Sequence, residues 1–104
     1  MEAATLVAEF TGEILGFVDA RLERSPDAMH RQMIFCVIAE IAVRRGHRSQ
    51  GIGSRLLRAA EDWGRQLGAE FALLEYHTAN TRASLFYQER MGYRPASITA
   101  IKRL

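Results

Sequence analysis

Cysteine is nearly absent from this chain. One residue of the type, Cys36, among 104 excludes an internal disulfide and suits a reducing compartment, so a cytoplasmic location is expected. Cys36 lies in an apolar run, where the residue serves as a small core side chain rather than a nucleophile. Long apolar runs are lacking too. None approaches the ~20 residues that cross a bilayer, and no secretory leader pattern is visible. No repeat, linker or low-complexity segment interrupts the chain. An excess of one charge is also missing. Fourteen basic residues stand against 12 acidic ones, a net +2, and the two signs are interspersed. A nucleic-acid partner would favour a concentrated basic face, so neither nucleic acid nor membrane is expected as a partner.

What is present is an ordinary globular composition, 48% hydrophobic, in a length that makes residues 1–104 a single domain. Residues 5–10 and 14–22 are apolar runs separated by Thr11-Gly12-Glu13, which reads as a β-hairpin. Residues 23–31 are polar around Ser25-Pro26-Asp27 and read as a long loop, with His30 at its end as a weak candidate for a substrate contact. Residues 33–43 form the strongest strand signal. Met33, Phe35, Val37, Ala39, Ile41 and Val43 alternate with Ile34, Cys36, Ile38, Glu40 and Ala42. A strand apolar on both faces belongs inside a sheet. Residues 54–67 read as a helix with an apolar stripe of Ile52, Leu56, Ala60, Trp63 and Leu67, closed by Gly68. Residues 71–76 read as another strand. Asn80 makes an N-cap for a second helix over residues 81–91, closed by Gly92. Residues 93–104 read as a last strand with a bent start. The expected order is ββ-β-α-β-α-β, an α/β class mixed sheet with helices packed on it.

The chain is organised around residues 40–57, where a strand enters a basic, glycine-rich turn that opens a helix. A helix N-terminus presents unpaired N–H groups and about half a positive charge, so it accepts a phosphate. Gly51 and Gly53 allow the backbone a sharp turn and close approach. Arg44, Arg45 and Arg48 add charge, and a guanidinium grips phosphate oxygens in a bidentate way. The P-loop pattern fails because Ile52 stands where its lysine belongs. The dinucleotide fingerprint fails because Leu56 replaces its third glycine.

Glu40 is the one carboxylate in the central strand. Two readings stay open: a side chain near the strand end that reaches solvent or an arginine, or a general base with a raised pKa. Glu75 reads as solvent-facing or salt-bridged.

The run Arg48-Ser49-Gln50-Gly51-Ile52-Gly53 resembles the acyl-CoA-binding signature of the GNAT N-acetyltransferase superfamily, Arg/Gln-x-x-Gly-x-Gly/Ala between a strand and a helix. Asn80, Ala83, Phe86-Tyr87 and Gly92-Tyr93 resemble a second stretch of the same family, and the likeness runs over residues 14–104. The resemblance implies a GNAT-like fold and acetyl-CoA as cosubstrate, with no metal. It implies that backbone groups of Ile41, Ala42 and Val43 bond the pantetheine arm. Arg48, Ser49, Gln50, Gly51, Ile52, Gly53 and Ser54 would hold the pyrophosphate. Asn80 would touch the cofactor, and Tyr87 would point at the thioester sulfur. The alternative for Tyr87 is a core-facing tyrosine.

The expected reaction is direct acetyl transfer to a primary amine. An amine with a pKa near 10.4 must first lose a proton, and Glu40 is the candidate base. N–H groups around Ile41 and Ala42 would polarise the thioester carbonyl, and Tyr87 would protonate the leaving thiolate. The family usually has a strand and helices ahead of the hairpin that help form the acceptor pocket. Their absence here leaves an unpaired sheet edge, and such edges tend to find partners, so a homodimer is expected. The acceptor stays open. The alternative function is a non-catalytic acyl-CoA sensor or assembly subunit. A nucleotide- or RNA-binding module is disfavoured because no aromatic-basic platform is present.

Overall fold

A computed structural model of the chain describes residues 2–26 and 32–104. The elements are strands β1 (Ala3–Phe10), β2 (Glu13–Pro26) and β3 (Gln32–Val43), helix α1 (Ile52–Gln66), strand β4 (Phe71–Leu73) and helix α2 (Thr81–Ser84). α2 runs directly into a π-helical turn, Leu85–Arg90. The chain forms two compact units, residues 1–74 and residues 75–104.

In the first unit the strands lie in the order β1-β2-β3-β4. β1 and β2 are joined by a two-residue turn, with Phe10 opposite Glu13. Thr11 and Gly12 both take positive φ, 49° and 80°, the backbone twist that a tight hairpin demands. β2 and β3 run antiparallel from Gly16 opposite Val43 to Pro26 opposite Gln32. The polar residues 23–26 therefore belong to a strand, where a loop was expected. Cross-strand partners at residues 32–35 extend the ladder through this polar stretch. His30 lies outside the described residues. β3 and β4 pair in parallel, Phe35 with Phe71 through Val37 with Leu73, and α1 supplies the crossover that parallel strands require.

The core lies between the sheet and α1. Val18, Ala20 and Leu22 of β2 and Cys36 and Ile38 of β3 are buried, as are Leu56, Leu57 and Ala60 of α1. Cys36 is a core residue, as expected, and its Sγ donates to the Ala60 carbonyl at 3.5 Å. The buried stripe of α1 is Leu56, Leu57, Ala60 and Gly64. Leu67, expected on it, is exposed, because the helix ends at Gln66 and Gly68 turns the chain with φ 98°. Two glycines permit close approach. A Cβ on Gly64 would lie 2.6 Å from Cys36 Cβ, and one on Gly16 would lie 2.7 Å from the Ala42 carbonyl oxygen.

β3 is interrupted once. Asp19 faces Glu40 and Ala20 faces Ile38, which leaves Ala39 without an opposite residue. This β-bulge reverses the alternation. Before it Cys36 and Ile38 are buried, and Val37 between them is buried as well. After it Ile41 and Val43 are partly buried, whereas Glu40 and Ala42 are exposed. The expectation of unbroken alternation placed Glu40 in register with Cys36 and Ile38. The bulge puts it in water.

β4 stops at Leu73, so the expected strand over residues 71–76 is half its predicted length, and Glu75 is exposed beyond it. In the second unit the Asn80 side chain caps α2 as expected, accepting from the Ala83 amide at 3.0 Å. The helix expected over residues 81–91 is α-helical only to Ser84. It then widens, with Met91 N–H donating to the Phe86 carbonyl at 3.0 Å and Tyr93 N–H to the Tyr87 carbonyl at 2.8 Å. Gly92 follows with φ 78°. Residues 93–104 form no strand. Ile98 and Ile101 are fully exposed, so the apolar pattern there has no sheet partner among the described residues.

Candidate functional site

The site in the first unit begins on the edge of β3. β4 pairs with β3 only at residues 35–37, so beyond Val37 this edge carries no strand among the described residues. The Arg44 amide donates to the Leu15 carbonyl of β2 at 2.7 Å. Antiparallel alternation then gives Ala42 its exchange with Phe17 and turns the N–H and C=O groups of Ile41 and Val43 toward the open edge. They have the geometry of half a β-ladder, with the Val43 carbonyl reached by Arg48 Nε at 3.5 Å. An extended chain with amide groups of its own can pair with them.

The turn from β3 to α1 carries three residues of positive φ: Gly46 at 93°, Ser49 at 67° and Gly51 at 80°. Ser49 is the unusual one, since a residue with a Cβ is seldom found there. The His47 amide closes a tight turn onto the Arg44 carbonyl at 3.0 Å. Gly51 is the N-cap of α1 and has no side chain to offer, and no acidic residue lies in the first turn. Arg55 N–H donates to the Gly51 carbonyl at 3.1 Å and begins the helical ladder. The N–H groups of Ile52, Gly53 and Ser54 precede that first bond and have no intrahelical acceptor. A Cβ built on Gly51 would meet nothing within 4 Å, so the space beside the N-cap is open. The dipole of the 15-residue α1 adds partial positive charge at the same end.

The arginines of this turn differ. Arg44 forms an ion pair with Glu13 at the end of the hairpin turn, with about half of each side chain exposed. Part of its charge, expected to serve an anion, is balanced by the chain itself. Arg48 reaches back along the strand, its Nε donating to the Val43 carbonyl at 3.5 Å. Arg48, Ser49, Gln50, Gly51, Ile52, Gly53 and Ser54 thus stand in one continuous turn and helix start, with four residues between them and the strand end at Ile41, Ala42 and Val43. Glu40 lies on the same strand, exposed, opposite Asp19.

In the second unit Tyr87 sits on the π-helical turn among other rings. Tyr76 is 5.2 Å away centroid to centroid, Phe86 5.1 Å and Tyr93 6.1 Å. Burial, with the Tyr76 phenol as a smaller cause, pushes the Tyr87 phenol above its ordinary value, so it holds its proton at neutral pH. No described group hydrogen-bonds its hydroxyl, which leaves the proton available for donation. The Asn80 oxygen is engaged in capping. Two features of these units escaped the sequence reading: the Glu13–Arg44 pair and the ring of aromatics around Tyr87. Spacing along the chain carries no sign of the first. Tyr76 and Tyr93 signalled the second by type, but only the folded turn shows that they meet.

The descriptive model of the "Acetyltransferase (GNAT) family" matches residues 1–93. The catalytic subunit NAA10 of an N-terminal acetyltransferase A complex from Arabidopsis thaliana is 30% identical over 93 residues, 88% of this chain and 46% of that protein. The uncharacterised N-acetyltransferase YhfO from Bacillus subtilis is 33% identical over 92 residues, 88% of this chain and 59% of that protein. The chain therefore spans about half the length of these curated relatives. Among solved structures, the aminoglycoside N-acetyltransferase AAC(6')-Iy in complex with CoA superposes with a TM-score of 0.84 at 20% identity, over 98% of this chain and 75% of that one. The family match begins ahead of residue 14, where the sequence likeness had been placed, and includes β1. With the strand-to-helix turn and its six-residue signature intact, the chain belongs to the GNAT acetyltransferase family.

Proposed function

We propose that this chain binds acetyl-CoA and transfers its acetyl group to a primary amine by direct attack. The observation that carries this reading is the junction of an open β3 edge with an uncapped α1 N-terminus. The first offers backbone groups to an amide-bearing arm, and the second offers amide donors to a diphosphate. Pantetheine pyrophosphate has these two parts in this order. The neighbour solved with CoA supports the same choice of cosubstrate.

Ile41 and Val43 bond the pantetheine arm, and the turn from Arg48 to Ser54 holds the pyrophosphate. Glu40, exposed on the same strand, takes the proton from the acceptor's ammonium group, directly or through a water. The neutral nitrogen attacks the thioester carbonyl carbon, and a strand N–H near Ile41 stabilises the oxyanion. The C–S bond breaks, the Tyr87 hydroxyl gives its proton to the departing thiolate, and the second proton on the acylated nitrogen passes through water to restore the phenol. Asn80 serves this site by capping the helix that carries Tyr87. The transfer uses no metal and no covalent enzyme intermediate.

The acceptor is an amine of a class that the relatives suggest: a protein N-terminus or an aminoglycoside. The outer edge of β1, unpaired among the described residues, supports association with a second copy, and the single cysteine supports a cytoplasmic setting. Calorimetric titration with acetyl-CoA and with CoA tests the first half of the reading. Thiol release from acetyl-CoA, measured with N-terminal peptides and with an aminoglycoside, tests the second. Binding of acetyl-CoA with amine-dependent release of thiol is expected. Absence of binding would remove the cosubstrate, and binding without release would leave a sensor.

A further inference from the structure

The Tyr87 hydroxyl has no hydrogen-bond partner among the described residues, so its direction is set by ring packing. The Tyr76 ring lies against it at 5.2 Å with a tilt of 31°, flatter than the edgewise Phe86 at 62° or Tyr93 at 71°. Rotation about the long axis leaves the hydroxyl oxygen in place but turns the O–H bond, which prefers the ring plane, so the tilted Tyr76 ring packed on Tyr87 sets the direction of that bond. Tyr76 is itself anchored. Gln88, adjacent to Tyr87 on the π-helical turn, donates from Nε2 to the Tyr76 hydroxyl at 2.6 Å and to Ser84 Oγ at 3.2 Å. The segment ahead of α2 is thereby tied to the turn that presents Tyr87.

We propose that Tyr76, pinned by Gln88, is a positioning residue that fixes the plane of the Tyr87 ring and so the line along which its hydroxyl meets the leaving thiolate. This rests on the role given to Tyr87 above. The titratable groups that face the Tyr87 ring are Tyr76 and Tyr93, and Phe86 completes its surroundings. Removing the Tyr76 ring lets water reach the Tyr87 phenol, so proton loss from Tyr87 moves to lower pH. Misaim of the hydroxyl reduces the rate without touching the groups assigned to the pyrophosphate.

The test joins spectroscopy to kinetics. Phenol ionisation followed by ultraviolet absorbance, with Tyr87 assigned by difference from Tyr87→Phe, needs no acceptor. Tyr76→Leu is expected to move the Tyr87 midpoint to lower pH, and an unmoved midpoint would overturn the inference. In thiol release from acetyl-CoA with the peptide or aminoglycoside acceptor, Tyr76→Leu is expected to lower kcat by roughly tenfold. KM for acetyl-CoA should hold, and the alkaline limb should move to lower pH. Added to Tyr87→Phe, the same substitution should cost nothing more. Additive losses would overturn the inference and leave the role of Tyr87 standing. Full turnover by Tyr87→Phe would overturn both. Gln88→Leu, which keeps the Tyr76 ring and cuts only its anchor, should show the same pattern more weakly and guards against a folding defect in Tyr76→Leu.

Discussion

Gly64 of α1 lies directly over Cys36 of β3, so close that a Cβ at position 64 would fall 2.6 Å from Cys36 Cβ and 2.7 Å from its Sγ. Helix propensity alone favours Gly64→Ala by about 1 kcal/mol. Overpacking of a filled core costs about 1–3 kcal/mol, and here the obstacle includes a Cβ that no rotamer change can move. Gly64→Ala is therefore expected to lower stability by up to about 2 kcal/mol in denaturant titration. Cys36→Ala should not rescue it, since the Cβ remains.

Gly51 poses the opposite case. Nothing stands within 4 Å of a Cβ there, but φ is +80°. Gly51→Ala should lose only about 1 kcal/mol, from the left-handed backbone. Gly51→Asp adds a carboxylate at the uncapped helix start and should abolish CoA binding in calorimetry. Retained affinity would mean that the diphosphate lies elsewhere.

Glu13 sits on the hairpin yet is paired with Arg44 at the start of the anion turn. An exposed pair of this kind contributes about 0–1 kcal/mol to stability, so Glu13→Gln should leave the melting temperature nearly unchanged. It releases a guanidinium for phosphate. CoA affinity should rise by roughly twofold to fivefold at low salt and fall more steeply as salt is added. An unchanged salt slope would show that Arg44 does not reach the ligand.

Burial pushes the Cys36 thiol above its ordinary value of 9.0, and Glu61 adds to the shift. The native thiol therefore keeps its proton to higher pH than the unfolded one. This contribution to stability is complete below about pH 9 and is lost as pH rises through the native value. Tyr87, raised above 10.0, acts in the same sense at higher pH. The melting temperature should fall above about pH 9, and Cys36→Ala should make the early part of that fall shallower.

Asn80 caps α2 through the Ala83 amide. Asn80→Ala should cost about 1 kcal/mol and raise hydrogen exchange at residues 81–84. If its role is the cap alone, Asn80→Asp should restore exchange protection, since Asp caps equally well.

The hairpin was legible because Thr11-Gly12-Glu13 separates two apolar runs; that Thr11, a β-branched residue, takes positive φ beside Gly12 was not. The β3–α1 junction was legible because glycines, arginines and a change of apolar period coincide. Asn80 announced its own helix start. What stayed hidden depends on partners far along the chain. Residues 23–26 look like a loop until β3 is set beside them. β4 ends at Leu73 although Leu74 and Tyr76 continue an apolar pattern, because alternation marks a surface that strands can use and not where pairing stops. Phe86, Tyr87 and Met91 have α-helical spacing, and the widened turn shows only in the bonds of Met91 and Tyr93. The bulge at Ala39 left no trace, since alanine suits either face.

That bulge works as a phase shifter in β3. Cys36, Val37 and Ile38 are buried before it, and only Ile41 and Val43 are partly buried after it, so a single strand anchors the core and still holds the Glu40 carboxylate in water two residues after Ile38. Deleting Ala39 would set Ile38 and Glu40 in succession opposite Ala20 and Asp19 and leave every side chain facing as it does now. Drawing Ala39 into the ladder instead would turn Glu40 and Ala42 under α1, turn Ile41 and Val43 out, and exchange the backbone groups at the open edge with those bonded to β2. One unpaired alanine absorbs the offset between the part of the strand that folds and the part that the reaction uses.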